Sequence, residues 1–201
     1  MPKSLTAFVL AGGRSTRMGT DKASLAVGGE TLLVRALKTL GAVASDVRIV
    51  GSARKLSGRR PVVEDIFPGC GPLGGIHAAL SASASELNLM LAVDLPFVHA
   101  EFLNFLIGRA NASGATVTVP RSGGRFQPLC AVYGKSFAEV AGQALRAGQN
   151  KIDPLFSSVS TAVVEQAELE AQGFSAEIFR NLNTPSDWEQ ARTLFPEAAG
   201  N

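Results

Sequence analysis

Residues 10–22 read Leu10-Ala11-Gly12-Gly13-Arg14-Ser15-Thr16-Arg17-Met18-Gly19-Thr20-Asp21-Lys22. Three glycines free the backbone to wrap an anion, Ser15 and Thr16 add hydroxyls, and Arg14, Arg17 and Lys22 place three cations in nine residues. Exposed N–H groups beside clustered cations suit a triphosphate. The other reading is a glycine-rich surface turn with solvated charges. The segment is not a Walker loop, because Thr20 stands after Gly19 where GxxxxGK[ST] requires lysine. Asp94 closes the most apolar stretch of the chain, Leu87–Val93. A carboxylate there, near a triphosphate, suits Mg²⁺, which takes one or two carboxylates plus phosphate oxygens. It could equally cap the turn before Pro96. Asp65, after Glu64, could meet a base or ribose, or simply start a turn.

Asn181 and Asn183 in Asn181-Leu182-Asn183-Thr184-Pro185 point the same way on an extended segment. Two amides could hold a heteroatom-rich ring; alternatively, the segment is only a helix entry. Gly69-Cys70-Gly71-Pro72-Leu73-Gly74 matches GxGxxG, but no strand leads directly into it and Pro72 stiffens it, so it does not read as a dinucleotide site. His77 and His99 have no His or Cys partner at ligand spacing and read as structural. Cys130 has no base next to it, no GxSxG elbow occurs, and Tyr133 and Trp188 read as packing residues.

Elements must position these groups. Leu5–Leu10, Val47–Val50, Pro61–Val63 and Leu87–Val93 read as strands, and Thr31–Leu40, Ile76–Ser85 and Ala100–Ala110 as helices. Asp65–Gly75 reads as a long turn-rich loop. This rhythm implies an α/β fold, three-layer α/β/α, with a Rossmann-like, mostly parallel sheet. Asp94 then lies at the carboxyl edge of that sheet, where ligands bind. The later portion is irregular: Thr116–Pro120, then Phe126–Tyr133 as an edge or irregular strand because of Pro128, a helix Ser136–Ala147 and a strand Val159–Val164. Thr184–Leu194 closes as a helix, with Thr184 as N-cap and Pro185 at its first position.

The 201 residues suit one domain, 1–196, with 197–201 as a frayed tail. Hydrophobic residues are 46% and charged residues 18%, which excludes a disordered chain. Nineteen Lys and Arg against seventeen Asp and Glu give +2, so no whole-protein field attracts nucleic acid or an acidic membrane and any anion site is local. The longest uncharged stretch, Ile66–Ser85, holds two prolines and four glycines and is no membrane span. The N-terminus does not read as a signal peptide, and Cys70 and Cys130 read as free thiols, so a cytoplasmic location is expected.

Together, residues 10–22, Glu64-Asp65 leading into Gly71-Pro72-Leu73-Gly74-Gly75, Val93-Asp94-Leu95-Pro96-Phe97, Gln127-Pro128-Leu129 and Asn181–Pro185 resemble the molybdenum cofactor guanylyltransferases. The likeness runs from about Leu5 to Ala191. Leu-Ala-Gly-Gly followed by Arg-Met-Gly-x-Asp-Lys is its most specific part; cytidylyltransferase relatives tend to show Leu-Ala-Ala-Gly. The resemblance implies a nucleotide-diphospho-sugar-transferase-like fold, with a GTP-binding half (about 1–110) and a pterin-acceptor half (about 111–196). It implies that Leu10, Ala11, Gly12 and Gly13 line the nucleotide, Lys22 touches its phosphates and Arg17 neutralises them. It places Asp65 at the guanosine, Asp94 on Mg²⁺ near the α-phosphate, and Asn181 and Asn183 on the pterin side. Some members carry an asparagine near the end of the second strand, where this chain has Ser52. The implied reaction moves GMP from GTP to molybdopterin and releases pyrophosphate. The implied partners are GTP and molybdopterin, with transient contact to molybdenum-insertion and molybdoenzyme-maturation proteins. The alternatives are a relative using CTP or another acceptor, and a nucleotide-binding module without turnover.

Overall fold

Apolar residues that alternate from face to face build the centre of the fold, which a computed structural model describes over residues 3–12, 22–56 and 60–195. In chain order the strands are β1 (Leu5–Leu10), β2 (Ala26–Val27), β3 (Glu30–Thr31), β4 (Asp46–Val50), β5 (Val62–Val63), β6 (Leu87–Ala92), β7 (Val117–Ser122), β8 (Arg125–Phe126), β9 (Cys130–Gly134) and β10 (Thr161–Val164). The α-helices are α1 (Leu32–Gly41), α2 (Ala53–Leu56), α3 (Gly71–Ala82), α4 (Ala100–Ser113), α5 (Phe137–Arg146), α6 (Gln166–Ala171) and α7 (Pro185–Leu194).

The main sheet runs β10-β7-β9-β6-β1-β4-β5, with β8 paired to β7. β9 is antiparallel to both β6 and β7 and β8 is antiparallel to β7; the remaining pairings are parallel. All six residues of β6 are buried. Leu87, Leu89 and Leu91 join one apolar cluster and Met90 the other, while Ala7 and Val9 of β1 face away from Phe8. Helices α1, α4, α6 and α7 pack on the first face, and α3 and α5 on the second. This is the expected three-layer α/β/α arrangement, with a mostly parallel sheet. No helix among the described residues is long and apolar enough to cross a membrane.

Two expectations are corrected. The helix expected to start at Ile76 starts at Gly71. Pro72 sits in its first turn, where a missing N–H costs nothing. Gly74 and Gly75 are therefore helical, and they serve close packing: a Cβ at Gly74 would lie 2.9 Å from both Asp65 carboxylate oxygens, and one at Gly75 3.5 Å from Val50 Cγ1. The single strand expected over Phe126–Tyr133, edge or irregular, is two short strands, β8 and β9, joined by a turn at Gln127–Leu129. Pro128 lies in that turn, so the ladder loses no donor and β9 sits inside the sheet. The 3-10 turns Asp153–Ser158 and Ala176–Phe179 and helix α6 have no strong periodicity and were not expected.

The β2–β3 hairpin turns on Gly28 and Gly29, both with positive φ (62° and 76°), as its two-residue primed turn requires. Helix α7 opens with a full capping box: the Thr184 hydroxyl accepts from Asp187 N–H (3.1 Å), and Asp187 Oδ2 accepts from Thr184 N–H (2.8 Å). The Thr184 hydroxyl, followed by the N–H groups of Asn183 and Thr184, holds the Asp187 carboxyl below its usual range. A lowered carboxyl pKa stabilises the fold above the unfolded value and loses that contribution as pH falls. Thr184→Ala should cost about 1 kcal/mol in urea unfolding at neutral pH. The gap to the wild type should narrow below about pH 4, the ordinary aspartate range.

Candidate active site

Strands β1, β4, β5 and β6 all end at one edge, and the connections leaving them carry the candidate groups. β1 delivers Leu10, Ala11 and Gly12, β5 delivers Glu64 and Asp65, and β6 delivers Asp94. Leu10 lies between Val50 and Ala92 in the two ladders. Its carbonyl accepts from Val93 N–H (3.1 Å), and Ala11 N–H donates to the Val50 carbonyl (2.9 Å). Those groups are spent on the sheet, so Gly12 is the first position of the loop with both backbone polar groups clear of the ladder. Gly13 and Arg17, with the rest of 13–21, lie outside the described residues.

The chain resumes in a 3-10 turn, Lys22–Ser24. Lys22 Nζ donates to Asp94 Oδ2 at 2.8 Å and to Asn183 Oδ1 at 2.7 Å. The side chains of Lys22 and Asp94 are each 20% exposed. Three groups separated by 72 and 161 positions in sequence thus meet at one ammonium. The Asp94 carbonyl accepts from Leu182 N–H (3.0 Å), which ties the Asn181–Asn183 segment to the end of β6. Leu182 is buried while Asn181 and Asn183 are exposed, as the i, i+2 spacing implies. Asn181 stands beside this cluster in the chain and shares no hydrogen bond with it.

The sequence did not reveal how α7 is fastened. Trp188 Nε1 donates to the Ala26 carbonyl (2.9 Å), four residues after Lys22. Phe195 stacks on Phe97 at 5.2 Å between centroids, and the Arg35 guanidinium lies 4.1 Å above the Phe195 ring. Phe97 follows Asp94 by three residues. The lysine segment, the aspartate turn and the final helix therefore form one clasp. Gln127-Pro128-Leu129 borders it: the Leu129 carbonyl accepts from Ala92 N–H (2.8 Å), and the buried Tyr133 hydroxyl donates to the Pro128 carbonyl (2.8 Å).

Asp65 is held differently. Its Oδ1 accepts from Phe67 N–H at 2.9 Å, and the carboxylate rests against Gly74 in the first turn of α3. A negative charge there is favoured by the helix dipole. Asp65 thus starts a turn after β5 and does not join the lysine cluster. His77 packs edge-on to Phe67 (5.2 Å between centroids); burial, followed by the nearby Arg146, holds its pKa below the ordinary value. His99 pairs with Glu101 at 2.9 Å. The Cys130 thiol is fully buried and pushed well up by desolvation, so it is no nucleophile.

A family model for the MobA-like NTP transferase domain matches residues 7–166. The chain belongs to the MobA-like NTP transferase family. A relative from Pelotomaculum thermopropionicum, named "probable molybdenum cofactor guanylyltransferase", is 38% identical over 94% of this chain and 92% of its own. The molybdenum cofactor guanylyltransferase of Syntrophotalea carbinolica is 32% identical over 95% and 92%. The crystal structure of molybdopterin-guanine dinucleotide biosynthesis protein A from Archaeoglobus fulgidus superposes with a TM-score of 0.83 at 27% identity, covering 94% of this chain and 97% of that one.

This MobA-like NTP transferase domain packs Gly74 against Asp65 too tightly for a side chain. Gly74→Ala would break the Phe67–Asp65 turn or push α3 outward, and should cost about 1–3 kcal/mol, measured by chemical denaturation. Gly69→Ala, which meets no atom within 4 Å but has φ +83°, should cost only the backbone strain.

Proposed function

We propose that this protein transfers GMP from GTP to molybdopterin, giving molybdopterin guanine dinucleotide and pyrophosphate. The observation that carries the reading is the convergence of Lys22, Asp94 and Asn183 at the carboxyl edge of the sheet, Lys22 being the last residue of the glycine-rich segment 10–22. The relatives' names supply the substrates. The half up to about residue 110 would take GTP, and the half from about 111 to 196 the pterin.

A phosphate oxygen of the acceptor attacks the α-phosphorus of GTP, and the bond to the bridging oxygen of pyrophosphate breaks. The attacking phosphate is already anionic near neutral pH, so the reaction needs alignment and charge neutralisation rather than a protein base or nucleophile. Lys22 donates to the phosphates, and Arg17 and Gly13 belong to the same loop. Gly12 offers its backbone groups, with Leu10 and Ala11 forming the floor behind it. Asp65 stands at the guanosine side, and Asn181 and Asn183 face the pterin.

Among the described residues no group of three or more His, Cys, Asp or Glu side chains could hold a metal. Asp94 is the carboxylate we assign to a Mg²⁺ shell. That fits an ion whose other ligands are phosphate oxygens and water. Bound there, Mg²⁺ would neutralise charge on the phosphates. The reaction belongs in the cytoplasm, where GTP is available, with delivery to molybdenum-insertion and molybdoenzyme-maturation proteins.

Thermal shift assays with Mg²⁺ and GTP, ATP, CTP or UTP test the reading first. GTP at 100 times its dissociation constant should add about 2.7 kcal/mol of stability. Stabilisation by CTP instead would move the function to a cytidylyltransferase. Asp94→Asn should abolish turnover with the fold intact, and a near-normal rate would remove Asp94 from the metal site. Lys22→Ala should lower the rate by about 10²-fold or more.

A further inference from the structure

Asn183 was expected on the acceptor side only, yet its side chain touches the lysine of the donor loop. An ammonium donates and cannot accept. The Asn183 atom 2.7 Å from Lys22 Nζ is therefore its carbonyl oxygen, as assigned, and the amide nitrogen is left for another partner. The backbone of Asn183 is fixed on both sides. Leu182 N–H donates to the Asp94 carbonyl at 3.0 Å, and Asn183 N–H donates to Asp187 Oδ2 at 3.0 Å. Helix α7 is anchored in turn by Trp188 on the Ala26 carbonyl and by Phe195 between Phe97 and Arg35. The oxygen that meets Lys22 thus sits on a fixed frame, whereas the lysine has a long flexible stem.

We propose that Asn183 is a positioning residue for Lys22: its carbonyl oxygen holds the lysine ammonium against Asp94 before any acceptor arrives, so donor-nucleotide affinity depends on a residue of the acceptor half. This rests on the GMP-transfer reading. A free lysine would lose rotamer freedom on meeting a triphosphate; a lysine already held by two oxygens has lost it beforehand. The same contact gives the two substrates a common element. An acceptor that binds the Asn183 amide also steadies the lysine, and the coupling is reciprocal.

The test is calorimetric titration of the full chain with Mg-GTP in the absence of any acceptor. Asn183→Ala should bind about tenfold more weakly than wild type, as for loss of a hydrogen bond to a charged group. Lys22→Ala should bind at least as weakly, and the double variant no more weakly than Lys22→Ala, because both act through one ammonium. Asn183→Ser, which keeps a shorter oxygen, should recover part of the affinity and carries the comparison if the alanine variant does not fold. Wild-type affinity in Asn183→Ala would overturn the proposal and leave Asn183 to the acceptor alone. A further loss on adding Asn183→Ala to Lys22→Ala would also overturn it, because Asn183 would then act independently of the lysine. A wild type that binds no GTP, or Lys22→Ala that binds as wild type does, would overturn the GMP-transfer reading itself and this proposal with it.

Discussion

The ammonium of Lys22 donates to Asp94 and Asn183 at once, and so joins the end of the glycine-rich loop, the end of the central strand and the entry to the last helix. Each contact is a charge-assisted hydrogen bond, and each oxygen belongs to a segment with its own anchor. Asp94 follows a strand buried along its whole length. Asn183 precedes a helix with a complete capping box. The lysine, which is the flexible member, is therefore placed by its partners. A half-buried pair of this kind contributes little to stability by itself. Its consequence is geometric: a cation stands at the carboxyl edge of the sheet, held by two oxygens.

The surrounding packing keeps this arrangement in place. Central strands β1 and β6 are buried on both faces, so the backbone that carries Leu10 and Asp94 has little room to move. The antiparallel strand β9 closes the other side of β6, and its leading turn meets the strand just before Asp94. The final helix reaches back over the hairpin through Trp188 and over the aspartate turn through Phe195. The aromatic and cation–π contacts are modest singly, but they share one outcome, which is to hold Asn183 near Lys22.

Asp65 shows a different use of a carboxylate. It is fastened to Phe67 N–H and pressed against Gly74, at the start of a helix that needs a glycine there. The Gly/Pro-rich stretch after it supplies close helix–strand packing instead of an open loop. That packing fixes Asp65 at the start of α3, away from the lysine cluster.

The sequence alone determined the α/β rhythm, the buried strands Leu5–Leu10 and Leu87–Val93 (the latter one residue shorter in the structure), the cap at Thr184, and Lys22, Asp94, Asn181 and Asn183 as residues to examine. These follow from local regularities: two-sided apolar runs, cap chemistry, and polar groups at the ends of strands. The Gly71 helix start and the interior position of β9 were not legible, because glycine and proline signal turns until a close neighbour or a strand partner gives them another purpose. The fastening of Asn183 to Lys22 was not legible either. It joins residues 161 positions apart, through a hydrogen bond that depends on where Trp188 and Phe195 dock. Residue type and short spacing fix which groups can do chemistry; only the packing of sheet, hairpin and final helix decides which of them touch.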